Sequence, residues 1–154
     1  MEFKESTLAM WGYTFQSLQE GAQPIALCEA AMVPLSLLQW PEKFRGRRMV
    51  WYVDNTAAMP SFVRGASANP DLERIVGLFW MLAYHLDVQV WFEWVDSDSN
   101  WPDGVSRDLA SDPFAAELGF RLQQMREPEA AWQQDWLPLW QYAERSMRTR
   151  RWEK

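Results

Sequence analysis

The sequence has a single cysteine, Cys28, and a single histidine, His85. One cysteine excludes an internal disulfide and any cysteine-based zinc cluster. Cys28 therefore reads as a small core residue on a helix, in a reducing compartment. No apolar run approaches 18 residues, so no membrane span is suggested. Met1-Glu2-Phe3-Lys4-Glu5-Ser6 has neither a basic n-region nor an apolar h-region. No secretory leader is expected, and an intracellular setting, cytoplasmic or nuclear, follows. Positive charge is also in deficit. The net charge of −6 argues against affinity for nucleic acid driven by overall charge. It leaves room for an acidic metal site acting on nucleic acid with a local basic patch. Internal repeats and low-complexity segments are absent.

A chain of 154 residues, 48% of them hydrophobic, suits one domain with a sizeable core. The 11 tryptophans imply heavy aromatic packing or an exposed apolar surface for a partner. The stretch that organises the chain is Met49-Val50-Trp51-Tyr52-Val53-Asp54-Asn55-Thr56-Ala57-Ala58. Residues 49–53 are apolar, with β-branched and aromatic side chains, as in a strand buried on both faces. The run ends at Asp54, and Asn-Thr-Ala-Ala then reads as a helix start. In an open α/β sheet, ligands and metals meet the protein at the C-terminal edges of the strands. Two readings of Asp54 stay open at this point: a helix N-cap, or a carboxylate mounted at the rim of the sheet.

Upstream, Leu8-Ala9-Met10-Trp11-Gly12-Tyr13-Thr14-Phe15 carries strand-like aromatics, and Gln19-Glu20-Gly21 looks like a turn. Residues 25–40 are apolar almost all round, which predicts a helix buried on most of its surface and kinked at Pro34. Glu29 is its only carboxylate. If buried it requires a cation, a metal or a hydrogen-bond partner; otherwise it faces solvent on a narrow polar stripe. A basic connection, 41–48, leads into the strand. A short helix over 55–63 closes at Gly65. Asn69-Pro70-Asp71 starts an amphipathic helix with Leu72, Ile75, Val76, Phe79, Leu82, Ala83 and Leu86 on its apolar face. His85, near its end, reads as a packing or dipole residue ahead of a ligand. Val88–Val95 alternates as a second strand. A polar loop follows, then a cap-plus-proline helix start at Asp112-Pro113 ending at Gly119. Residues 121–154 read as a separate helical tail. Trp132, Trp136 and Trp140 share one of its faces, and its end is basic.

Two motifs, set against this order of elements, resemble the ribonuclease H domain of retroelement reverse transcriptases. One is Val53-Asp54-Asn55-Thr56-Ala57-Ala58 with Arg64-Gly65-Ala66-Ser67 behind it. The other is Asn100-Trp101-Pro102-Asp103-Gly104-Val105-Ser106-Arg107. Leu27-Cys28-Glu29-Ala30-Ala31 stands where that family has its helical glutamate. The resemblance covers residues 25–120, within a domain spanning 1–120, and implies a ribonuclease H-like mixed sheet flanked by helices. It implies hydrolysis of the RNA strand of an RNA–DNA hybrid with two Mg²⁺ (or Mn²⁺) ions roughly 3.5–4 Å apart. Glu29, Asp54 and Asp103 would be ligands and catalytic acids. Asn55, Asn100, Ser106 and Arg107 would pin loops or contact substrate, and for Ser106-Arg107 a structural role at a helix start stays equally open. Other parts of a reverse transcriptase polyprotein become expected partners. The family's first strand carries a metal-bridging aspartate, and no aspartate precedes Asp54 here. The chain is thus expected to begin after that strand or to have lost its acid. The alternative is a catalytically incomplete remnant serving as a nucleic-acid or protein interaction module.

Overall fold

The computed structural model describes residues 3–96, 99–100 and 112–119. The elements run α1 (Glu5–Met10), α2 (Phe15–Gln19), α3 (Ile25–Gln39), α4 (Pro41–Phe44), β1 (Arg48–Val53), α5 (Ala58–Arg64), α6 (Pro70–His85), β2 (Gln89–Trp94) and α7 (Pro113–Glu117). Helices and a parallel strand pair together make an α/β chain. β1 and β2 pair in parallel from Arg48↔Gln89 to Val53↔Trp94. Parallel neighbours need a crossover connection, and α5 and α6 supply it. Among the described residues no helix is long and apolar enough to cross a membrane.

Local chemistry explains the crossover. Asn69 caps α6, its Oδ1 accepting from the N–H groups of Asp71 (2.9 Å) and Leu72 (3.0 Å). Pro70 occupies the first helical position, where no N–H is needed. α5 ends on Gly65 at φ +70°, a left-handed conformation that glycine adopts without strain. The Ala66 N–H bonds the Ser61 carbonyl and the Gly65 N–H that of Phe62, the paired bonds of a Schellman ending. Trp80 of α6 fastens this corner, its Nε1 donating to the Phe62 carbonyl at 2.9 Å.

One face of the strand pair is packed. Val53 and Phe92 point into a core built from Phe62 of α5, Ile75, Leu78, Phe79 and Leu82 of α6, and Leu35 and Leu37 of α3. Phe79 sits among three rings, with centroids 5.5 Å from Phe62, 5.2 Å from Trp80 and 5.3 Å from Phe92. The other face is largely exposed. Val50, Tyr52 and Trp91 are 51%, 60% and 67% exposed. The expectation of a strand buried on both faces is therefore corrected. A continuous apolar run looks alike whether one layer or two cover it, and among the described residues the helices pack on only one side.

The N-terminal region also departs from expectation. The strand-like residues 8–15 form the end of α1, a turn and the start of α2. The alternation of Trp11, Tyr13 and Phe15 is broken by Gly12 at φ +80°. There the Tyr13 N–H reaches back to the Leu8 carbonyl (2.9 Å) and the Gly12 N–H to that of Ala9 (3.0 Å). That pattern ends a helix. Thr14 then opens α2 through a capping box with Ser17. Trp11 is buried against the core, its ring 5.5 Å from that of Phe3.

α3 forms where expected, and Pro34 is buried inside it with helix continuing to Gln39. Cys28 is half-buried on that helix and packs against the core. α7 begins as its sequence suggests, with the Ala115 N–H donating to Asp112 Oδ1 at 2.7 Å. The Trp-rich segment 121–154, read as a separate helical tail, lies outside the described residues.

Candidate functional site

β1 delivers Asp54 to the C-terminal edge of the strand pair. Val53 closes the ladder, its carbonyl accepting from the Val95 N–H at 3.2 Å, and Asp54 is the next residue. It is half-buried. The chain then turns into α5, and the side chain that stabilises this turn is Asn55. Its Oδ1 accepts from the N–H groups of Ala57 (3.0 Å) and Ala58 (2.9 Å). These are the N–H groups an N-terminal cap must satisfy. The capping role that Asp54 could have filled thus belongs to its neighbour. Adjacent Asp and Asn are equally able caps, so the sequence alone cannot choose between them.

The other end of the Asn55 amide reaches across to α3. Nδ2 donates to Glu29 Oε2 at 2.9 Å. One side chain therefore caps a helix with its oxygen and holds a carboxylate, 26 residues away in sequence, with its nitrogen. An aspartate at 55 would keep the first task and lose the second, because two carboxylates would face each other. Glu29 is exposed rather than buried. The solvent-facing reading of this residue holds, and it has a hydrogen-bond partner as well.

Asp54 is held in the same manner from the loop after β2. Asn100 Nδ2 donates to Asp54 Oδ2 at 2.8 Å, bridging residues 46 apart in sequence. Four of the residues singled out from the sequence, Glu29, Asp54, Asn55 and Asn100, thus meet at one end of the sheet. The remaining three, Asp103, Ser106 and Arg107, lie outside the described residues.

Each carboxylate gives one oxygen to an amide. Glu29 Oε1 and Asp54 Oδ1 take no hydrogen bond from a described residue, and neither acid is ion-paired with one. Two carboxylates at one edge, each oriented by an amide and each with a spare oxygen, suit a hard cation that prefers oxygen ligands and retains water. Among the described residues no three His, Cys, Asp or Glu side chains gather around one ion position. His85 stays at the end of α6, half-buried.

Replacing Asn55 with alanine removes both the cap and the tether to Glu29. The expected loss is about 1–2 kcal/mol of folding stability, measured by urea unfolding. A loss below about 0.3 kcal/mol would show that the two contacts do not persist in solution.

No protein-family model, curated protein or solved structure matches this chain.

Proposed function

We propose that this chain is a ribonuclease H-like domain of retroelement reverse transcriptase type, which hydrolyses the RNA strand of an RNA–DNA hybrid with Mg²⁺ or Mn²⁺. The observation that carries the reading is the bond from the Asn55 amide, next in sequence to Asp54, to Glu29 of α3. These residues come from separate elements, and a chance Asp-Asn dipeptide would not bring a helical glutamate to its side. The parallel strand pair with its two-helix crossover supports the fold expected from the motifs, because it puts Asp54 at a C-terminal strand edge. The position of Asn100, bonded to Asp54, adds the second motif to the first.

In this reading Glu29, Asp54 and Asp103 would hold the cations. Bound divalent ions supply charge neutralisation at the phosphate and activation of the attacking water. The protein's part is positioning. Asn55 fixes the direction of Glu29, and Asn100 fixes that of Asp54. Amides suit this task because they donate to a carboxylate without adding charge to the site. Ser106 and Arg107 would contact substrate or anchor the loop.

The test is a cleavage assay on a hybrid labelled in its RNA strand, run beside calorimetric titration with Mg²⁺ and Mn²⁺. The expected result is metal binding together with metal-dependent cleavage that spares the DNA strand and stops on chelation. Absence of both binding and cleavage would overturn the enzymatic reading in favour of an interaction module.

A further inference from the structure

The exposed face of the strand pair combines aromatic rings with unpaired positive charge. Alternation puts Arg48, Val50 and Tyr52 of β1 on this face beside Gln89, Trp91 and Glu93 of β2, with Val50 opposite Trp91. Tyr52 and Trp91 are both exposed. Among the described residues neither ring packs on another ring, whereas Phe62, Phe79 and Phe92 pack on one another in the core. The Trp91 Nε1 donates to Glu93 Oε2 at 3.0 Å, which ties the indole by its edge and not by a face. A hollow of about 400 Å³ lies here, lined by Arg48, Val50, Gln89 and Trp91 together with Met49 and Val90.

Positive charge gathers where the strands begin. Lys43, Arg45, Arg47 and Arg48 stand there against Glu42 and Asp87, the latter beside the bond from the Gly46 N–H to the Leu86 carbonyl. Lys43 lies over the Trp40 ring, 5.1 Å from its centroid. Arg45, Arg47 and Arg48 are exposed, and their side chains form no hydrogen bond or ion pair with a described residue. Guanidinium groups without a carboxylate partner are suited to phosphate, which they grip with two parallel N–H groups. The excess is local, since the chain as a whole carries −6.

We infer that this face binds single-stranded nucleic acid, with bases stacked on Trp91 and Tyr52 and phosphates at Arg45, Arg47 and Arg48. Sheet faces carrying two or three exposed aromatics recur as stacking platforms for bases. Stacking on protein rings needs bases whose faces are open, which a duplex buries, so the ligand is a single strand. Tyr52 and Trp91 sit diagonally across the two strands, roughly 8 Å apart at the backbone from ordinary strand spacing, so each ring can serve a different base. The apolar strip of Val50, Tyr52 and Trp91 has charge at both ends, Arg48 at one and Glu93 at the other. Three side chains fall well short of the roughly 800 Å² that each partner commits to a stable protein interface. The face also leads toward the acid edge, because Tyr52 and Asn100 line one groove and Asn100 bonds Asp54. Binding here does not rest on the cation site.

Fluorescence anisotropy of the full chain with labelled oligouridylate and oligothymidylate, each about ten nucleotides long, tests this in chelator at low salt. Saturable binding of the single strands is expected, with a duplex of equal length bound more weakly. Trp91→Leu and Tyr52→Leu keep apolar bulk and remove the ring. Each should weaken binding by about fivefold or more with an unchanged circular dichroism spectrum. Replacing Arg45, Arg47 and Arg48 together with glutamine should also weaken it and flatten the log–log salt dependence by about two. If one aromatic variant fails to fold, the other decides. Absence of binding at hundreds of micromolar would overturn the inference, as would equal affinity for the duplex. Binding that responds to the arginines and ignores both rings would overturn it too, leaving attraction by charge alone. A mass that rises with concentration while no oligonucleotide binds would give the face to a protein partner. Chelator silences any cation-dependent cleavage, so this inference and the proposed activity can fail independently.

Discussion

Asp54→Asn is expected to lower cleavage of an RNA–DNA hybrid by at least about 100-fold while the domain stays folded. Asparagine is nearly the same size and still offers an acceptor to Asn100 Nδ2, which donates to Oδ2 in the parent chain. It removes a negative charge on which the proposed cation site depends. The substitution should cost little stability, because the N–H groups opening α5 are bonded by Asn55 and not by Asp54. A change within about 1 kcal/mol is expected. Parallel measurement of kcat and of the thermal midpoint separates the alternatives. Activity retained within a few-fold would remove Asp54 from the cation site. A large fall in the midpoint would make Asp54 a structural residue instead.

The largest effect on stability is expected from Phe79→Ala. Phe79 is fully buried and touches the rings of Phe62, Trp80 and Phe92. It thereby joins α5, α6 and β2 at one point. Truncation removes the burial energy and leaves a cavity that these rigid neighbours cannot fill. The expected cost is about 3–5 kcal/mol, a large part of the stability of a single domain. Chemical denaturation should show the midpoint shift at an unchanged m-value. The acid edge depends on this packing too. β2 holds β1 in register, and the bond from the Val95 N–H to the Val53 carbonyl sets the position of Asp54. A cost under about 1.5 kcal/mol would mean that the aromatic cluster is looser than its ring geometry indicates.

Among the described residues, α3, α5, α6 and both strands were legible in the sequence, because their signals are local, whereas α4 (Pro41–Phe44) was read as a connection. Asn69-Pro70-Asp71 opens α6 through bonds that span two and three residues. Gly65 closes α5 in the left-handed conformation that few other residues tolerate. Hydrophobic alternation marks β2, and an unbroken apolar run marks α3. Glu29, Asp54 and Asn100 could be chosen as candidates because acids and amides at the ends of apolar segments stand out.

The tertiary structure alone decided how those residues are joined. Asn55 caps α5 and holds Glu29 with the same amide, and this depends on where α3 packs against the crossover. No spacing rule links positions 29 and 55. It likewise decided that one face of the strand pair is largely exposed, since an apolar strand does not reveal how many layers cover it. The aromatics of residues 8–15 misled for a related reason: their period of two suits a strand, but Gly12 at φ +80° and the Thr14–Ser17 box commit the backbone to two short helices. Local hydrogen bonding determined the elements. Contacts between residues distant in sequence determined which of them form a site, because such contacts exist only once the core has packed.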